Sequence, residues 1–120
     1  MKLLIVDDSL DILSGITEYL SLVHTVTAFG DSSEAFDYMQ QQHLIDLLIT
    51  DYEMPGYSGL QLAEAASTLF PAVPVIVMTG ASDISSLERS LYIQHILRKP
   101  FSLSKVAAIV QRFAAELMLD

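Results

Sequence analysis

The sequence predicts an α/β fold: one doubly wound domain in which five parallel strands run in the order 2-1-3-4-5, with helices on both faces. Three observations lead there. Five short apolar runs, most of them rich in β-branched residues, alternate with segments of helical spacing. The runs at 2–6, 45–50 and 73–78 are the most continuously apolar, as strands buried on both faces must be. The runs at 24–29 and 93–98 are interrupted by Thr and His, or by His and Arg, which suits the two edges of a sheet.

The elements follow in order. KLLIV (2–6) is the first strand and ends at Asp7 and Asp8. Leu10, Leu13, Ile16, Thr17 and Leu20 then recur at three- and four-residue intervals and mark the first helix. HTVTAF (24–29) is the second strand. Asp31 with Glu34 reads as a capping box opening a second helix that carries Ala35, Phe36 and Met39. IDLLIT (45–50) is the third strand. Ser58 with Gln61 is a second capping box, before a helix marked by Leu60, Leu62, Ala63 and Ala66. VPVIVM (73–78) is the fourth strand, and Ser85 with Glu88 opens a short helix within 83–91. IQHILR (93–98) is the fifth strand. Leu103, Val106, Val110, Phe113, Ala114 and Leu117 mark a long last helix. Such alternation implies right-handed crossovers and a parallel sheet covered on both sides.

Composition narrows the function classes. The 120 residues make one domain, with no repeat, linker or low-complexity segment. Hydrophobic residues are 52% and charged residues 18%, which excludes a disordered chain. The formal net charge of −9 would repel a phosphate backbone, so no direct nucleic-acid binding is expected. Without cysteine there is neither a disulfide framework nor a thiolate metal site. The start, MKLLIVDDS, is too short and too acidic for a signal peptide, and the apolar stretch AVPVIVM is too short to span a bilayer. A cytoplasmic protein without membrane contact is expected.

In an open parallel sheet, ligands bind outside the C-terminal strand ends, near the point where strand order reverses. Here that point lies between the first and third strands. The first strand ends in Asp7 and Asp8, the third in Asp51 and then Glu53, the fourth in Thr79 and Gly80, the fifth in Lys99 and Pro100. A single Asp after a strand is usually a turn residue, and a Lys-Pro pair a solvated turn. Four polar strand ends in one topology are a different matter. Three carboxylates close together repel one another unless a cation is present. An all-oxygen donor set favours a hard ion, Mg²⁺ before Zn²⁺. Three carboxylates give −3, and Mg²⁺ with Lys99 returns +3, so the site can accept a phosphoryl group. Asp51 is then the positioned carboxylate nucleophile, with Lys99 and the Thr79 hydroxyl offsetting charge on the phosphoryl oxygens.

With LLIVDD at 3–8, LLITDYEMPGYSG at 47–59, PVIVMTG at 74–80 and RKPF at 98–101, the chain resembles the receiver domain of two-component response regulators over essentially its whole length. The resemblance implies a flavodoxin-like (βα)5 receiver domain over 1–120, standing alone or as the N-terminal domain of a longer protein. It implies a phosphoacceptor at Asp51 and side-chain ligation of Mg²⁺ by Asp8 and Asp51. It also implies a further oxygen from the Glu53 backbone carbonyl, and Asp7 acting through metal-bound water. Lys99 would contact the phosphoryl group, Thr79 would move toward it, and the Lys99–Pro100 bond would be cis. A histidine kinase or histidine phosphotransfer protein would be the donor, and a downstream output domain or protein the receiver of the signal, with a homodimer left open. Such a protein is no enzyme beyond its own Mg²⁺-dependent phosphorylation and dephosphorylation. Glu53 and Ala81 would flank the path of hydrolytic water.

Two other readings stand beside it. An aspartate-nucleophile phosphatase of the haloacid dehalogenase type wants Asp-x-Asp, and Asp51-Tyr52-Glu53 departs from that. A receiver-fold interaction module that signals without phosphorylation is suggested by Ile96, which replaces the Tyr or Phe usual three residues before the lysine. His95 cannot fill that role, because neighbouring strand residues point to opposite faces. His24, His43 and His95 are scattered and read as surface or edge residues. Ile12 and Tyr19 lie off the first helix's core stripe, and Ile12 reads as part of a kinase-docking surface or as a merely exposed side chain. The departure at Ile96 makes the 80–98 face unusual. Amide NMR should show phosphorylation-induced shifts that differ between wild type and Ile96→Tyr; equal shifts would remove any special role for Ile96.

Overall fold

The computed structural model describes residues 1–119. Its elements are β1 (Lys2–Val6), α1 (Leu10–Leu20), β2 (Thr25–Phe29), α2 (Ser32–Gln40), β3 (Leu47–Asp51), α3 (Gly59–Leu69), β4 (Val75–Thr79), α4 (Ser85–Glu88), β5 (His95–Arg98) and α5 (Leu103–Leu117). The strands are parallel in the order β2-β1-β3-β4-β5, as predicted. Among the described residues no helix is long and apolar enough to cross a membrane.

The continuous apolar runs are explained by two cores that share one sheet. Leu3 and Ile5 of β1, Leu47 and Ile49 of β3, Ile76 and Met78 of β4 and Leu97 of β5 pack with Leu13, Ile16, Val106 and Val110 of α1 and α5. The residues between them, Leu4, Val6, Leu48, Val75 and Val77, pack with Ala35, Met39, Leu62, Ala66 and Leu87 on the other side. Alternate side chains of a strand point to opposite faces, so a sheet covered twice needs an apolar residue at every position. Each fully buried Leu or Ile contributes about 1.5–3 kcal/mol of hydrophobic stabilisation.

Helix starts agree with the sequence in part. Ser58 and Gln61 form the full reciprocal capping box of α3. At α2 only half the box forms: the Asp31 carboxylate accepts from the Ser33 and Glu34 backbone N–H groups at 2.7 and 3.3 Å. At α4 the expected Ser85–Glu88 box is replaced. Ser85 is the first helical residue, and its N–H and hydroxyl both donate to Asp83, whose carboxyl pKa is held below its ordinary value by those bonds. Ile84 takes the N-cap position without a side-chain cap, and the Ser85 hydroxyl is spent as a donor to Asp83. Ile12 is half-buried against the α1/α5-side core, and it is Leu10 that is 70% exposed.

The β3–α3 connection is held tightly. The Gly59 N–H donates to the Tyr52 carbonyl at 2.8 Å, and a Cβ at Gly59 would collide with the Asp51 carbonyl. No side chain fits between α3 and the end of β3. Gly59→Ala should therefore lower stability by about 1–3 kcal/mol, the usual cost of overpacking. Urea unfolding with an unchanged m-value would show it; wild-type stability would not fit this packing.

Candidate functional site

Period-2 alternation delivers three charged groups to one side of the sheet. Asp7 continues the parity of Leu3 and Ile5, Asp51 that of Leu47 and Ile49, and Lys99 that of Leu97. The register sets β1 and β3 side by side, Val6 against Thr50, so Asp7 and Asp51 end level with each other. The Lys99 ammonium spans the remaining gap from beyond the edge strand. Its Nζ lies 3.0 Å from Asp51 Oδ1 and 3.2 Å from Asp7 Oδ2.

Asp8 completes the cluster. Carboxylate oxygens of Asp7, Asp8 and Asp51 lie within 4.8 Å of one another. Asp7 is fully buried, Asp51 is 7% exposed and Asp8 faces solvent. Asp7 is fixed at both oxygens, because Oδ1 accepts from the Ser9 backbone N–H at 2.9 Å while Oδ2 holds Lys99. Burial pushes the Asp51 pKa up, helped by the charges of Asp7 and Asp8, and Lys99 only partly opposes this. Burial acts to lower the Lys99 ammonium, but its hydrogen bond to Asp51 and the charge of Asp7 outweigh it, and its ionisation is raised. The cluster holds three carboxylates and one ammonium, a deficit that one divalent cation would balance. Its donors are all oxygen, which fits a hard cation.

The site opens into a depression of about 440 Å³ lined by Asp51, Glu53, Thr79, Gly80, Ala81, Ser82 and Lys99. A larger hollow of about 580 Å³ lies at the opposite end of the sheet and brings only Asp46 and Glu116 as charged groups. Thr79 is buried at the end of β4, and its Oγ1 accepts from the Ala81 N–H at 3.0 Å. Its hydroxyl proton is left to donate. Asp7, Asp8, Asp51, Glu53, Thr79, Gly80 and Lys99 thus lie at one end of the sheet. Three contacts were not foreseen. Arg98 Nη1 donates to the Ala81 carbonyl at 3.1 Å, the Thr50 hydroxyl donates to the Asp51 carbonyl at 2.9 Å, and Ser32 bonds the loop that follows Asp51. The histidines stay outside the site: His24 lies against the N-terminal amine, and His43 stacks on Tyr38.

Residues 3–111 match the model of the response regulator receiver domain. The chain belongs to that family. The receiver is 30% identical to the uncharacterized transcriptional regulatory protein YesN of Bacillus subtilis, over 97% of this chain and 33% of YesN. It spans smaller shares of several other curated relatives. Among solved structures it is similar to a response regulator receiver domain protein from Clostridium thermocellum, with a TM-score of 0.87 and 26% identity over 98% of this chain and 97% of that one. It is also similar to the response regulator TrrA of Thermotoga maritima in complex with Mg²⁺ and beryllofluoride, with a TM-score of 0.82 and 26% identity over 93% and 97%. The chain is therefore a receiver domain of the response regulators of two-component systems. The Lys99–Pro100 bond is cis, as the resemblance implied.

The electrostatics of the receiver predict a pH signature. A carboxyl with a raised folded-state pKa favours folding while protonated, and loses that contribution as pH rises from the ordinary aspartate value through the raised one. Asp51→Asn should accordingly raise the melting temperature of the metal-free protein by a few degrees near neutral pH. The gain should shrink as pH falls toward about 4. Calorimetry in EDTA across this range checks it, and a gain independent of pH would contradict the assignment.

Proposed function

We propose that this receiver accepts a phosphoryl group on Asp51 from a phosphohistidine donor with Mg²⁺ present, and that the aspartyl phosphate switches partner binding. One observation carries the reading: the half-buried Lys99 ammonium bridges Asp51 and Asp7 beside a third carboxylate, at the mouth of an open depression. A structural ion pair would need one carboxylate; a cluster that keeps a net negative deficit next to solvent fits a cation and an incoming phosphoryl group.

In the proposed step an Asp51 carboxylate oxygen forms a bond to phosphorus as the bond from phosphorus to the donor's imidazole nitrogen breaks. The electron pair leaves with that nitrogen, which regains its lone pair or takes a proton from water. Asp51 is positioned by its place as last residue of a fully buried strand. Lys99 Nζ keeps its contact with Asp7 and turns its remaining protons to the phosphoryl oxygens, while the Thr79 hydroxyl donates to another. The side chains of Asp8 and Asp51 and the Glu53 backbone carbonyl would hold Mg²⁺, with Asp7 reached through water. The ion supplies neutralisation of charge on the transferring group. Glu53 and Ala81 line the depression and flank the approach of water, so they would tune the lifetime of the phosphate. The donor is proposed to be a histidine kinase or phosphotransfer protein in the cytoplasm, and the outlet an output domain or protein.

Incubation with acetyl phosphate and Mg²⁺, followed by intact-protein mass spectrometry, should show the mass of one added phosphoryl group. Asp51→Ala should abolish the adduct, and EDTA should suppress it. No adduct on the wild type, or one that survives Asp51→Ala, would sink the proposal.

A further inference from the structure

α2 contributes no residue to the carboxylate cluster, yet it grips the loop that leaves it. Ser32 is 1% exposed. Its hydroxyl donates to the Pro55 carbonyl at 2.8 Å and accepts from the Tyr57 N–H at 2.9 Å. The chain between these two bonds turns around the Ser32 oxygen. Gly56 makes that turn with φ +82°, and a Cβ there would come to 3.0 Å from Ser32 Oγ. One helical turn further on, Phe36 stacks on the Tyr57 ring with centroids 4.4 Å apart and planes 16° apart. Residues four apart share a helix face, so Ser32 and Phe36 act on the loop together.

The Ser32 hydroxyl is not needed by its own helix, since the Asp31 carboxylate already takes the Ser33 and Glu34 N–H groups. Its donor and an acceptor lone pair are both spent on a loop 23 and 25 residues away. That loop runs from Asp51 to Gly59. Its ends are tied by the Gly59 N–H on the Tyr52 carbonyl, and its middle is tied by Ser32 alone among the side-chain hydrogen bonds of the described residues. Glu53 lies between the two ties.

We propose that Ser32, backed by Phe36, is a positioning residue of the Asp51 site that sets the Glu53 backbone carbonyl by holding residues 55–57. The role rests on the reading that this carbonyl ligates Mg²⁺. Supports one step removed from a metal ligand typically carry a 10- to 100-fold effect on metal affinity. Ser32→Ala leaves the Pro55 carbonyl and the Tyr57 N–H without their partner, and the loop relaxes around a cation.

Mg²⁺ titration of the whole chain by calorimetry tests this. Ser32→Ala should weaken Mg²⁺ binding about tenfold. Phe36→Leu should weaken it less, and Val110→Ala, a core variant remote from the loop with a comparable loss of melting temperature, should leave it at the wild-type value. In the metal-free wild type, the Tyr57 amide should exchange with solvent more slowly than the Glu53 amide. That comparison and the Phe36 variant decide the matter if Ser32→Ala does not fold. Wild-type affinity in Ser32→Ala, equal weakening by Val110→Ala, or a freely exchanging Tyr57 amide would overturn the positioning role. Wild type that binds no Mg²⁺ would instead overturn the proposed function, and this inference with it.

Discussion

The Lys99 ammonium between Asp7 and Asp51 is the contact on which the rest of the site depends. Two buried carboxylates this close repel strongly at low local dielectric, and the bridge at 3.0 and 3.2 Å offsets part of that repulsion. The contact in turn demands an accurate scaffold. Lys99 belongs to the end of an edge strand, Asp51 to a central one and Asp7 to its neighbour, so the ammonium reaches both only if four strands keep register. A slip of one residue would send every side chain of a strand to the opposite face. The two-sided core, which makes such a slip costly for every strand at once, is what keeps these charges together.

The same sheet divides the site residues between its two faces. Asp7, Asp51 and Lys99 share the parity of the α1/α5-side core, whereas Thr79 shares that of Val75 and Val77 on the other side. Thr79 is also the first link of a short chain of hydrogen bonds, from its Oγ1 to the Ala81 N–H, and from the Ala81 carbonyl to Arg98 on β5. Ile96 packs on this second side too. An aliphatic side chain there offers volume without a hydroxyl or a ring edge. Beside the backbone ladder that joins β4 to β5, a second polar route runs from the Thr79 hydroxyl through the Ala81 backbone to the exposed Arg98.

Much of this was legible in the sequence, for a physical reason. Strands buried on both faces are written as unbroken apolar runs, and the residues that end them stand out because charge has no place inside. Asp7, Asp51, Thr79 and Lys99 could be found that way, and strand order brought them together. The misses are of another kind. Ser85 looked like a cap, but its hydroxyl is spent as a donor to Asp83, two residues upstream. Ile12 and Leu10 exchanged expected environments, because small rotations of α1 on the sheet decide which of two neighbouring apolar residues is covered. Ser32 and Arg98 act through contacts with backbone groups 23 and 17 residues away, and a hydroxyl or guanidinium facing a distant carbonyl leaves no pattern in the chain.

α4 is a single turn, and Leu87 is its one buried residue. The segment on either side is largely exposed, with Leu91 91% accessible. A stretch held by one fully buried leucine, with Ile84 and Ile93 only partly buried beside it, is anchored by little more than the roughly 1.5–3 kcal/mol that a buried leucine contributes. That is the size of an ordinary coupling free energy between two ligand sites. The doubly covered sheet beneath it, with its many fully buried side chains, lies far above that scale. A change of shape confined to this segment would therefore leave the fold intact.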